Sequence, residues 1–131
     1  MAENLLNLVD SSGWIEYIAE GPNAGIYAEP LSDTNRLIVP TICVYEVFRV
    51  VLRRRGEDNA LRAAALMNQG REVPLTSALA LEAARLAHEL GLAMSDGIIL
   101  ATARLTGATL WTQDVDFAGI PRVRYFPKMP A

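Results

Sequence analysis

Asp10 ends the apolar run Leu5-Leu6-Asn7-Leu8-Val9, and Asp114 follows the segment Thr109-Leu110-Trp111-Thr112. Asp96 opens a stretch, Gly97-Ile98-Ile99-Leu100-Ala101-Thr102-Ala103, that carries no charge at all, and Glu46 stands between Tyr45 and Val47 in an equally apolar segment. Surface acids normally have polar neighbours, so acids set against apolar segments suggest a shared task. Carboxylates that gather repel one another, and some take up protons unless a cation neutralises them. The chain has one His and one Cys, which leaves oxygen ligands and a hard ion, Mg²⁺ or Mn²⁺, as the natural match. Such an ion, or a pair ~3.5–4 Å apart, activates water and stabilises charge on a phosphate and its leaving oxygen. The chemistry these acids fit is hydrolysis of a phosphodiester. Asp116 is a further candidate ligand, or else the residue that holds the turn before Phe117.

Composition closes several other routes. With 131 residues, 51% of them hydrophobic, the chain can bury one real core unaided. A single cysteine, Cys43, excludes an internal disulfide framework and a Cys-rich zinc site. Lysine occurs once, as Lys128, and no Gly-rich loop leads into Lys-Ser/Thr, so neither a P-loop nor a dinucleotide fingerprint is present. His88 falls off the predicted buried line of its helix and reads as a surface group. No apolar run approaches the ~20 residues of a membrane helix, and the opening Met-Ala-Glu-Asn lacks a secretory signal's positive region. These features predict a cytoplasmic protein with no membrane association. A net charge of −3 argues against a generally basic nucleic-acid binder.

The acids need a scaffold, and its elements follow from the apolar pattern. Leu5–Val9, Leu37–Val39, Val73–Leu75, Thr109–Thr112 and Val123–Phe126 read as strands, with Pro74 pointing to an edge. Trp14–Ala19 reads as a helix, and Pro30 allows only a short helix on each side of it between Asn23 and Asn35. Thr41 is a candidate cap for a helix to Arg55 that ends at Gly56, with Ile42, Tyr45, Phe48 and Leu52 as its apolar side. Further helices span Glu57–Asn68, Ser77–Leu90 (apolar line Leu79, Ala83, Leu86, Leu90) and Met94–Thr106, the last a buried central helix. Strands alternating with helices predict one α/β domain over residues 1–131, its sheet mainly parallel, with a tail at about 127–131.

In such sheets, sites form beyond the carboxyl ends of the strands. Asp10 and Asp114 end two strands, Asp96 begins a helix, and Glu46 lies in the second turn of the helix after strand two, so all four can meet at that edge. Each also has a local reading: Asp10 as a helix cap, Asp96 as a favourable charge at a helix N-terminus, Asp114 as a turn former.

Four segments carry a family resemblance: Leu8-Val9-Asp10-Ser11-Ser12, Tyr45-Glu46-Val47, Ser95-Asp96-Gly97-Ile98-Ile99-Leu100-Ala101-Thr102-Ala103, and Trp111-Thr112-Gln113-Asp114-Val115-Asp116-Phe117. In order and spacing they resemble the PIN domain, and more narrowly the VapC-type toxins of prokaryotic type II toxin–antitoxin pairs. The resemblance implies a three-layer α/β/α fold with a five-stranded sheet ordered 3-2-1-4-5. It implies a metal-dependent ribonuclease in which Asp10, Glu46, Asp96 and Asp114 hold Mg²⁺ or Mn²⁺, Asp10 and Asp96 most directly, with Thr112 as a hydroxyl that orients the site. It further implies a homodimer and a VapB-like antitoxin whose tail enters the acidic groove. Two positions depart from the family pattern. Ser11-Ser12-Gly13-Trp14 replaces Thr/Ser followed by small apolar residues, and Gly97 replaces Ala, which should weaken the helix start.

An acidic centre repels RNA, so cations should flank it. Arg49 and Arg53 share a helix face with Glu46 and are candidate RNA contacts; alternatively Arg49 pairs with Glu46 on a solvated helix end. Trp14, Trp111 and Cys43 read as packing residues. A phosphatase would want Asp-x-Asp where the chain has Asp10-Ser11-Ser12, and a receiver domain a lysine after its last strand, whereas Lys128 is in the tail. The remaining alternative is a non-catalytic PIN-like binding module.

Overall fold

The computed structural model describes residues 5–130. The opening Met1–Asn4, read above for a signal segment, and Ala131, the end of the predicted tail, lie outside them. The strands are β1 (Asn7–Val9), β2 (Leu37–Pro40), β3 (Arg71–Val73), β4 (Thr109–Thr112) and β5 (Val123–Tyr125). They form one sheet in the order β3-β2-β1-β4-β5, and every pairing is parallel. Among the described residues six α-helices flank it: α1 (Ser11–Ile18), α2 (Ala24–Ser32), α3 (Thr41–Arg55), α4 (Glu57–Met67), α5 (Ser77–Leu90) and α6 (Met94–Thr106). The expected α/β/α fold and strand order are both present.

Two strand steps, β1 to β2 and β2 to β3, move one way; the step from β3 to β4 passes back over β2 and β1. Right-handed crossovers then put α1–α4 on one face and α5–α6 on the other. A strand covered on both faces must be apolar throughout, and Leu8, Val9, Leu37, Ile38, Val39 and Leu110 are all buried. Each such side chain contributes roughly 1.5–3 kcal/mol through burial. α6 lies against β2 and β4, and Gly97–Ala103 are buried without interruption, so its uniform greasiness reflects contact on all sides. No helix among the described residues is long and apolar enough to cross a membrane.

Several local expectations are corrected. The buried line of α3 is Cys43, Val47 and Val51, not Ile42, Tyr45, Phe48 and Leu52; Tyr45 and Leu52 are exposed, while Ile42 and Phe48 only lean on the core. Pro40, not Thr41, occupies the cap position of α3 and makes no side-chain cap bond. Pro30 does not divide its segment into two helices: it sits in the last turn of α2, and a 3₁₀ turn follows at Thr34–Arg36. β3 begins two residues earlier than predicted, since Arg71 and Glu72 pair with Ile38 and Val39 and leave Pro74 outside the strand. Leu90 is exposed at the end of α5, whereas Leu79, Ala83 and Leu86 are buried as expected.

Candidate metal centre

The register of the sheet builds the site. Val9 lies opposite Trp111, so Asp10, one residue on, faces Thr112. The Asp10 amide donates to the Trp111 carbonyl (3.1 Å), and Thr112 Oγ1 donates to Asp10 Oδ2 (2.6 Å). The other carboxylate oxygen, Oδ1, accepts from Ser12 Oγ (2.7 Å) and from the Gly13 amide (3.0 Å). Asp10 therefore caps α1 and is held in place by two hydroxyls. Thr112 Oγ1 also accepts from the Asp114 amide (2.9 Å), so one hydroxyl joins Asp10 to the backbone that carries Asp114.

Asp114 caps the 3₁₀ turn Val115–Phe117, its Oδ1 accepting from the Asp116 amide (2.9 Å). Phe117 anchors that turn in the core. Asp96 stands in the first turn of α6. Carboxylate oxygens of Asp96, Asp114 and Asp116 lie within 4.8 Å of one another. Glu46 reaches in from α3 and accepts a hydrogen bond from Ser11 Oγ (2.6 Å).

Burial and mutual repulsion both act on these groups. Burial pushes the Asp10 carboxyl up to about 6, despite the hydrogen bonds from Thr112, Ser12 and the Gly13 amide, and Asp114 adds to the rise. Burial likewise pushes Asp96 up to about 7, helped by the charges of Asp114, Asp10, Asp116 and Glu46. Acids from three other segments thus bear on the charge of Asp96. An all-oxygen donor set with strained carboxylates fits a small hard cation, which would relieve both repulsion and desolvation.

The local and the shared readings of these acids are not exclusive. Asp10 is a cap and Asp114 a turn former, as their positions alone allow; Asp114 also meets Asp96, whereas among the described residues the group that converges within 4.8 Å is Asp96, Asp114 and Asp116, without the expected Asp10 and Glu46. Arg49 and Arg53 are exposed, and among the described residues the ion pairs are Arg36–Asp33 and Arg85–Glu82, so Arg49 is not spent on Glu46. Trp14 and Trp111 are buried, Trp111 stacking on Phe126 (centroids 5.8 Å apart), and His88 is exposed. Cys43 is fully buried, and burial pushes its thiol far up, which leaves it inert. A cavity of about 500 Å³ lined by Tyr17, Ile18, Val51, Arg55, Arg62 and Leu66 includes none of the clustered acids.

Sequence reasoning missed the residues that hold the acids. Ser11 and Ser12 appeared only as a departure from a pattern, although hydroxyls directly after a strand-end acid are a local signal for this role. It missed altogether the buried Glu16, Asn23 and the side chain of Gln113, which meet across the fold with no pattern in the chain to announce them.

A model of the PIN domain family matches residues 8–123. Among solved structures, the chain resembles a toxin–antitoxin complex from Klebsiella pneumoniae at 26% identity and a TM-score of 0.77, covering 90% of this chain and 95% of that one. The Mycobacterium tuberculosis toxin VapC20, described as cleaving the sarcin–ricin loop, shares 20% identity at a TM-score of 0.73 over 87% of this chain and 94% of that one. A DNA-bound VapBC from Salmonella typhimurium shares 16% identity at a TM-score of 0.73 over 94% and 98%. The last two likenesses are of fold. No curated protein matches the chain.

Proposed function

Because the chain belongs to the PIN domain family, we propose that it is a divalent-metal-dependent ribonuclease and the toxin of a VapBC-type pair. The observation that carries this reading is the convergence of Asp96, Asp114 and Asp116 within 4.8 Å beside the buried Asp10. Its likeness to a toxin–antitoxin complex over 90% of the chain supports a VapB-like antitoxin as partner. We take residues 1–131 as one domain acting in the cytoplasm.

In this reading Asp10 and Asp96 are the main ligands of Mg²⁺ or Mn²⁺, Glu46 and Asp114 complete the site and orient water, and Asp116 is a further ligand. Bound there, the ion supplies a Lewis acid for a phosphate oxygen and lowers the pKa of water. The chain's own part is positioning. Thr112 and Ser12 fix both oxygens of Asp10, Ser11 aims Glu46, and the buried α6 fixes where Asp96 points. Products would carry 5′-phosphate and 3′-hydroxyl ends. Large apolar side chains left in solvent on α5 and α6, Leu81, Met94 and Leu105 among them, support assembly as a homodimer.

The test is cleavage of RNA by the purified protein. Activity should require Mn²⁺ or Mg²⁺, vanish in EDTA and return with excess metal; undiminished cleavage in EDTA refutes the metal dependence. A protein that neither binds Mn²⁺ nor cleaves any RNA would instead be a non-catalytic PIN-like module.

Arg49 and Arg53, four residues apart on α3 and exposed, are the proposed phosphate contacts. Each phosphate neutralised on a single strand contributes ~0.7 to the slope of log affinity against log salt. The double variant Arg49→Ala/Arg53→Ala should bind RNA more weakly in EDTA, with that slope reduced by about 1.4. An unchanged slope in a salt titration removes these arginines from the interface.

A further inference from the structure

Glu16 is a buried acid that forms no ion pair among the described residues. A buried carboxylate needs donors, and two supply them. The Asn23 amide donates to Glu16 Oε2 (2.7 Å), and Gln113 Nε2 donates to Oε1 (3.3 Å). Gly21 leaves room for this carboxylate, since a Cβ there would strike it. Asn23 Nδ2 closes the ring by donating to Gln113 Oε1 (3.2 Å), and it also donates to the Pro127 carbonyl (3.0 Å). Both ends of the Gln113 amide are thus engaged, in the only orientation these partners permit.

Gln113 is also held by its backbone. Its amide donates to Ser12 Oγ (3.3 Å), the hydroxyl that itself donates to Asp10. The residue stands between Thr112, which bonds Asp10, and Asp114, which belongs to the carboxylate cluster. Ser12 and Glu16 of α1, with Asn23 just beyond it, therefore grip one residue 90 to 101 positions away, at the root of the turn that carries Asp114 and Asp116.

We propose that Gln113 is a positioning residue, clamped by Glu16 and Asn23 so that Asp114 and Asp116 meet Asp96 at the spacing one cation needs. The inference deepens the metal-nuclease reading and rests on it for its metal arm only. Gln113→Glu would set two carboxylates face to face. The double variant Glu16→Gln/Gln113→Glu would restore every bond, with only the one between positions 16 and 113 reversed in direction. Its new side-chain amide at position 16 accepts from the Asn23 backbone amide and donates to the new carboxylate at position 113, which also accepts from Asn23 Nδ2.

Two measurements on the full chain test this. The first is amide exchange over residues 112–118 in EDTA, and the second is Mn²⁺ affinity by calorimetry. Gln113→Ala should exchange about tenfold faster in that segment, as two lost hydrogen bonds imply, while β1 and β2 keep wild-type protection. Its Mn²⁺ affinity should fall ~10–100-fold, the usual effect of losing a group that orients ligands. Gln113→Glu should lose at least as much protection, and the double variant should regain it. Unchanged exchange in Gln113→Ala, or no recovery in the double variant, overturns the proposal. If the wild-type protein binds no Mn²⁺, the metal reading falls, and the exchange results alone decide whether the clamp exists.

Discussion

Asp96→Asn should abolish most RNA cleavage and, in EDTA above pH 7, make the protein more stable than the wild type. Loss of groups that merely orient metal ligands costs ~10–100-fold, so removing a ligand's charge should cost at least ~100-fold. The stability effect runs the other way because Asp96 is held under strain. Its carboxyl rises from an ordinary 3.8 to about 7 in the folded protein. Between those values the folded state keeps a proton that the unfolded state has released, so stability falls as pH rises from about 4 to about 7, then stays low. Asparagine has no charge to bury and escapes that loss. Its advantage should be absent near pH 4 and full by pH 8, on the order of 1–2 kcal/mol once partial exposure is allowed for. The helix macrodipole favours the aspartate by ~0.3–1 kcal/mol and reduces the gain without reversing it. Urea unfolding at pH 4.5 and pH 8, beside a cleavage assay in Mn²⁺, checks both halves. Full activity would remove Asp96 from the mechanism, and a stability gap that ignores pH would remove the charge argument.

Asp10 should not behave in the same way, although burial raises its carboxyl too, to about 6. It accepts three hydrogen bonds and caps α1, so its replacement sacrifices structure as well as charge. The two acids divide the work: one is built into the scaffold, and the other is left in tension for a cation to relieve.

Most of that arrangement was legible in the chain. Asp10 and Asp114 could be placed because a strand end is marked by an apolar run giving way to polar residues, and parallel topology sends such ends to one edge; Thr112 came from the family resemblance. The buried side of α3 was not legible. Nearly every position of Thr41–Leu52 is apolar, so more than one helical stripe fits, and the small Cys43 rather than the larger Tyr45 faces inward. Only the approach of the sheet and α4 chooses between them. The Glu16–Asn23–Gln113 ring was invisible for a related reason. Its Gln113 bonds span 90 and 97 residues; Asn23 and Gln113 lie in loops, which carry no periodicity that points to a distant partner, and Glu16 is a lone acid on a short helix.

Gly97 is the case in which local logic points the wrong way. By helix propensity alone, Gly97→Ala in α6 should stabilise the protein by about 1 kcal/mol. The packing of α6 on α5 reverses the sign. A Cβ at position 97 would lie 2.8 Å from the Ala83 carbonyl oxygen and 3.0 Å from Ala87 Cβ. The first of these is helical backbone, which cannot turn aside, so α6 must move away from α5. Overpacking of this kind costs typically ~1–3 kcal/mol, and the gap it opens falls one residue from Asp96. A displacement near 1 Å at a reacting centre can cost on the order of 100-fold in rate. Gly97→Ala should therefore lower the melting temperature and reduce cleavage at least ~10-fold, within that range. Adding Ala87→Gly should recover little, because it removes the methyl contact and leaves the carbonyl. A Gly97→Ala protein more stable than the wild type would mean that the two helices are not held at this distance. The glycine would then be a plain defect at the start of α6, and not the residue that lets Asp96 come close enough to its partners.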